Sequence, residues 1–92
     1  MASHAELMRQ LEAEAGSCYS WSNAPHDRYS AHSHGYEKVL YCVAGSITFV
    51  LEQTGERWLL RTGDRMVLPA GTLHSAEVGP EGVTCIEGRR EA

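Results

Sequence analysis

Lysine is nearly absent from this chain: Lys38 stands alone against seven arginines. Basic runs are missing too, since the nearest approach is Arg89-Arg90 and the formal net charge is −4. A nucleic-acid footprint needs a positive patch, so the composition argues against that partner class, and none is expected. No stretch approaches the roughly 20 apolar residues of a membrane-spanning helix, and the N-terminus carries no signal-peptide core. The expected address is the cytoplasm, with no membrane partner. Cysteine is sparse and odd in number: Cys18, Cys42 and Cys85 lie far apart in sequence. That spacing makes no disulfide framework, and it reads as free thiols in a reducing compartment, acting as small buried apolar residues. Length sets a further limit. A chain of 92 residues makes one small domain, and such a domain buries roughly 60–65% of its unfolded surface. Its core is therefore modest, and pooling apolar surface in a homodimer would enlarge it.

What is present alternates. Ser3 is a candidate N-cap, with Glu6 completing a capping box, and Leu7, Met8, Leu11 and Ala15 form one apolar stripe up to a stop at Gly16. This predicts an N-terminal helical arm over residues 1–16. From residue 17 to 92 the pattern is short β-runs with turn residues every eight to ten positions. The runs are Ser17–Ser22, Tyr29–His34, Tyr36–Val43, Ser46–Glu52, Glu56–Arg61, Arg65–Leu68, His74–Val78 and Val83–Glu87. Between them stand a loop over Asn23–Asp27, turns at Ala44-Gly45, Thr54-Gly55, Thr62–Asp64 and Pro69–Gly71, and a loop over Gly79–Gly82. No internal repeat interrupts the series. The expected fold is all-β, a small antiparallel barrel or jelly roll with one short helix.

Histidine carries the chemistry. His32 and His34 sit two residues apart, which in a strand places both imidazoles on one face. His74 follows the Pro69–Gly71 turn and opens another run. A neighbouring strand can bring it to the pair, and three imidazoles with an open side hold a divalent metal. His4 and His26 lie in a polar terminus and a loop and read as solvent-facing.

The spacing extends beyond the histidines. His32-Ser33-His34 is followed by Gly35-Tyr36-Glu37, then Lys38, then six residues to Gly45. Downstream come Gly63, five residues to Pro69, Gly71 two positions later, and His74. These two blocks resemble the two motifs of the cupin superfamily, and they span residues 32–78. The resemblance implies a cupin barrel. It also implies metal-dependent dioxygenases, isomerases and decarboxylases among the possible activities, and small-molecule binding modules without turnover beside them. Two positions depart from the motif: Lys38 stands where the family carries a glutamate ligand, and Val78 where it carries an asparagine.

Lys38 admits four readings. The site is a three-histidine metal centre with Lys38 bent away or pairing with an anionic substrate. Or a bulge rotates Glu37 inward to supply the carboxylate. Or the pocket is metal-free, and Lys38 and the histidines bind an anion directly. Or the barrel is purely structural. Alternation places Tyr36, Lys38, Leu40 and Cys42 toward the pocket with His74, Ala76 and Val78. Glu37, Val39, Tyr41 and Val43 take the other face, which is apolar enough to be covered by the helix stripe and a second subunit.

The metal set is thus His32, His34 and His74, with Fe, Mn, Ni, Cu or Zn as candidate ions. Lys38 and Tyr36 are the candidate catalytic residues, Lys38 as substrate anchor or base and Tyr36 as hydroxyl donor or pocket wall. The expected function is a metal-dependent enzyme, dioxygenase- or isomerase-like, acting on a small anionic molecule. The competing expectation is a metal-free or non-catalytic binding or sensing module.

Overall fold

The computed structural model describes residues 2–90, so the final two positions of the expected barrel lie outside the described residues. One helix and six strands follow in order: α1 (His4–Glu14), β1 (Gly16–Asn23), β2 (Arg28–His32), β3 (Glu37–Leu51), β4 (Arg57–Arg61), β5 (Arg65–Leu68) and β6 (His74–Arg90). The capping box forms as expected: Ser3 Oγ accepts from the Glu6 N–H at 3.1 Å, and the Ser3 N–H donates to Glu6 Oε1 at 3.4 Å. The helix stops just before Gly16, as expected. Ala15 is the C-cap, in extended geometry, its N–H donating to the Leu11 carbonyl at 2.9 Å. Gly16 already belongs to β1, whose bulge absorbs the sharp entry through Ser17 at a positive φ of 52°.

Two expected interruptions are not strand ends. The Ala44-Gly45 turn and the Gly79–Gly82 loop lie inside β3 and β6, which run unbroken for 15 and 17 residues. The physical reason is that each site bends a strand that keeps the same partner. β3 pairs antiparallel with β6 on both sides of the bend, with register shifts at Cys42/Ala44 and Gly45/Ile47. Gly45 sits at φ 77°, and a Cβ there would collide with the Gly82 carbonyl oxygen, lying 2.9 Å from its carbon. Only glycine permits that approach.

The bends fold one hydrogen-bonded network into two facing sheets. In the first, β4 and β2 flank the second half of β3 and the first half of β6. In the second, β5 and β1 flank the first half of β3 and the second half of β6. Between them lies the main core, including Leu40, Ile47, Phe49, Leu68, Val78 and the buried thiols Cys42 and Cys85. The outer face of the second sheet carries Val39, Tyr41 and Ile86, and α1 lays Leu7 and Leu11 onto it. The alternation expected for residues 36–43 is therefore the one observed, and the helix of the same chain covers the outer set. All three cysteines are free. No described helix is long and apolar enough to cross a membrane.

Candidate functional site

A cavity of about 330 Å³ opens between the sheets, lined by residues of β1, β2, β3, β6 and the segment joining β2 to β3. Its histidine wall is assembled from two directions. His32 ends β2 and pairs with His74, the first residue of β6. His34 lies beyond the end of β2, in the irregular stretch before β3, and not on the strand itself. The turn before His74 is tied to it, since the Gly71 N–H donates to the His34 carbonyl at 2.8 Å. The ring centroids of His32 stand 4.9 Å from His34 and 4.4 Å from His74, and those of His34 and His74 stand 5.5 Å apart. One nitrogen from each ring falls within 4.8 Å of the other two.

The ring orientations are set by the backbone. His32 Nδ1 contacts the Ser30 carbonyl at 2.8 Å, and His74 Nδ1 contacts the Thr72 carbonyl at 2.9 Å. A carbonyl only accepts, so each Nδ1 carries the hydrogen and each Nε2 keeps its lone pair free. His34 Nε2 is buried with no hydrogen-bond partner among the described residues. Leaving such an atom unpartnered costs about 1–3 kcal/mol. Burial, followed by the charge of Lys38, pushes the His34 imidazole below its ordinary pKa. Burial does the same at His74, opposed by its bond to Thr72. Two free lone pairs, an orphaned third nitrogen, and His34 and His74 rings biased toward the neutral form are what a divalent ion requires. The donor set fits a metal.

Beside this wall lies a charged pair. Lys38 of β3 and Glu87 of β6 are both buried, with Nζ 3.5 Å from Oε2. Glu87 also accepts from the Tyr19 hydroxyl at 2.8 Å and the Trp21 indole N–H at 2.7 Å. Burial first, then this bond to Glu87, pushes the Tyr19 phenol up to about 12, so it stays a donor at neutral pH. Removing one partner of a buried pair typically costs about 3–5 kcal/mol. Glu37 does not enter the cavity. It accepts from Arg90 Nε at 2.6 Å, which turns away the expectation that it swings inward as a carboxylate. Tyr36 is a wall: its ring packs 5.1 Å from His34, and the Arg89 guanidinium covers it at 4.1 Å. Trp21, Tyr29, Phe49 and Ala76 complete the lining.

His4 and His26 are exposed, as expected. Glu87, Tyr19 and Trp21 were not expected at the site. The signal for Glu87 was the alternation Val83, Cys85, Glu87, which continues a core-facing row into a carboxylate.

Two bent strands, two facing sheets and a histidine wall at one end of the sandwich define a cupin. Within that class the chain belongs to the ARD/ARD' family, whose model matches residues 10–85. It is similar to acireductone dioxygenase 1 of Vitis vinifera, 41% identical over 49 residues that cover 50% of this chain and 26% of the relative. An acireductone dioxygenase of Branchiostoma floridae is 39% identical over 49 residues, covering 50% and 28%. The chain thus spans about a quarter of the length of the curated relatives it matches. Among solved structures it resembles the DMSP lyase DddQ of Ruegeria pomeroyi, with TM-score 0.72 and 22% identity over 79% of this chain and 36% of that one. The polyketide cyclase RemF of Streptomyces resistomycificus is similar too, at TM-score 0.70 and 22% identity over 78% and 52%. Likeness at that identity speaks to the fold alone.

Proposed function

We propose that this chain is a metal-dependent cupin enzyme of the dioxygenase kind, holding one divalent ion through His32, His34 and His74 and acting on a small anionic molecule able to chelate it. The observation that carries this reading is the buried, unpartnered His34 Nε2 in a cluster with two imidazoles whose Nδ1 atoms are tied to backbone carbonyls, one nitrogen of each ring lying within 4.8 Å of the other two. Membership of a family whose curated members are named acireductone dioxygenases supports the reaction class. When bound, the ion would polarise a chelating substrate and, if redox-active, pass electrons to dioxygen.

The chain's own residues would do the rest. The Ser30 and Thr72 carbonyls hold the His32 and His74 rings in one tautomer, so no ligand must reorient to bind. Lys38 keeps two N–H bonds beyond the one aimed at Glu87, and these can take the anionic arm of a substrate. Tyr36, clamped between His34 and Arg89, holds a flat wall against the bound molecule. Phe49, Trp21 and Tyr29 exclude water from the inner end.

A binding module without metal is the second reading, favoured by the buried ammonium of Lys38. The orphaned His34 Nε2 within a cluster of three imidazoles weighs against it, because that donor set suits a metal better than an anion.

The test is metal analysis of the untagged protein after reconstitution with iron, manganese, nickel, copper and zinc in turn. One ion per chain is expected. In His74→Ala, affinity should fall by more than about 100-fold, beyond the 10–100-fold effect of outer-sphere partners, with the β-sheet circular dichroism retained. A native chain that takes up none of the five ions removes the enzyme reading and leaves the binding module.

A further inference from the structure

Placing a fixed positive charge beside three metal-binding imidazoles is self-defeating unless something cancels it. Lys38 is that charge. Its side chain is only 10% exposed, and both His34 and His74 sense it. It cannot be screened by solvent there, and a dication would be repelled. We propose that Glu87 is the charge-balancing residue of the three-histidine centre, the group that lets an ion occupy the histidines with Lys38 in place. The inference rests on the metal reading given above.

Glu87 fits this role better than that of a ligand. Both of its oxygens are engaged: Oε1 takes the Trp21 indole N–H, and Oε2 takes the Tyr19 hydroxyl and the Lys38 ammonium. Tyr19 and Trp21 stand on β1, whose residues pair with β6 across this point, Tyr19 being opposite Glu87 itself. Two donors from one strand therefore aim the carboxylate at Lys38 on another. Glu87 is absent from the cluster of side chains close enough to share an ion. It is a positioning residue, acting on the metal through the field of Lys38.

The experiment measures affinity, not turnover. Co²⁺ and Zn²⁺ are titrated in competition with a chromophoric chelator into the full untagged chain and four variants, His74→Ala among them. Glu87→Gln should weaken binding by about tenfold or more, in line with outer-sphere groups. Lys38→Met should tighten it, and Lys38→Met/Glu87→Gln should return to within about threefold of the native chain, because removing both charges restores the balance. A native-like affinity in Glu87→Gln overturns the proposal. So does a double variant as weak as Glu87→Gln, since a ligand or a purely structural prop would not be rescued by losing the lysine. If Glu87→Gln does not fold, the double variant must bind about tenfold more weakly than Lys38→Met, and equal affinities overturn the proposal. A native chain that binds neither ion, with His74→Ala indistinguishable from it, strikes the metal reading itself and this inference with it. Loss in His74→Ala without any effect at Glu87 strikes only the latter.

Discussion

At the scale of single residues, Gly45 is where the bend of β3 meets that of β6. It combines a left-handed backbone with a carbonyl where a methyl would stand. Gly55 has the same φ of 77° but open space around it. Gly55→Ala should therefore cost only the conformational penalty, about 1–2 kcal/mol. Gly45→Ala adds an overpacking cost of about 1–3 kcal/mol. At about 4–8 °C per kcal/mol for a domain this size, thermal melts should separate the two variants clearly, with Gly45→Ala the lower. Equal melting points would mean that the bend is not a tight contact. The site was half legible at this scale. His32, His34 and His74 were readable because each sits in a short local pattern of glycine, proline and spacing. Glu87 was not, because its role depends on parity. Along β6 the cavity- and core-facing residues are His74, Ala76 and Val78, and after the bend they are Val83, Cys85 and Glu87. The bend at Gly79–Gly82 changes even positions to odd. Counting by twos from His74 lands on the wrong face. The same inversion occurs in β3, where Lys38, Leu40 and Cys42 give way to Ile47 and Phe49.

At the scale of elements, α1 is held by its last residue as well as by its stripe. Glu14 takes Arg65 Nε of β5 at 3.1 Å, the Tyr41 hydroxyl of β3 at 2.6 Å and Arg90 Nη1 of β6 at 3.6 Å. Arg65 is the main cause holding the Glu14 carboxyl below its ordinary pKa, with burial opposing. A depressed folded-state value stabilises the fold above the ordinary glutamate value of about 4.3, and that contribution fades as pH falls through the depressed value. The network is partly exposed, so its worth is about 1 kcal/mol. Glu14→Gln should lower the melting point by a few degrees at pH 7 and by almost nothing at pH 3. Faster hydrogen exchange in α1 should accompany the loss at pH 7. A deficit that persists undiminished at pH 3 would show that the charge is not what anchors the helix. The helix itself was legible because capping and periodicity are local. Its docking place followed from the apolar second face of residues 39–43. The continuity of β3 and β6 was not legible, since Ala44-Gly45 and Gly79–Gly82 have the composition of turns. Only the pairing of each bend with the other shows that the strands pass through.

At the scale of the whole molecule, homodimerisation is a proposal resting on the modest core of a 10.1 kDa chain. The surface first suggested for it, the outer face of β3, is covered by α1. Apolar area still open includes strand β4, where Leu59 is half exposed beside the partly buried Trp58. Light scattering behind size exclusion at about 50 µM should give twice the chain mass, and Leu59→Glu should halve it. A monomer in the native chain removes the proposal.

The pairing of β3 with β6 also dictates when the chain can fold. Every sheet contact of β2 and β1 is made to residues 74–90, and β3 depends on the same segment along most of its length. Before residues 74–90 are in place, β1 and β2 have no sheet partners, and only the pairings of β3 with β4 and β5 can form. Loop closure across dozens of residues must precede the reward of a core, which makes such topologies slow. Until residues 74–90 join the sheet, the faces that become the interior stay open.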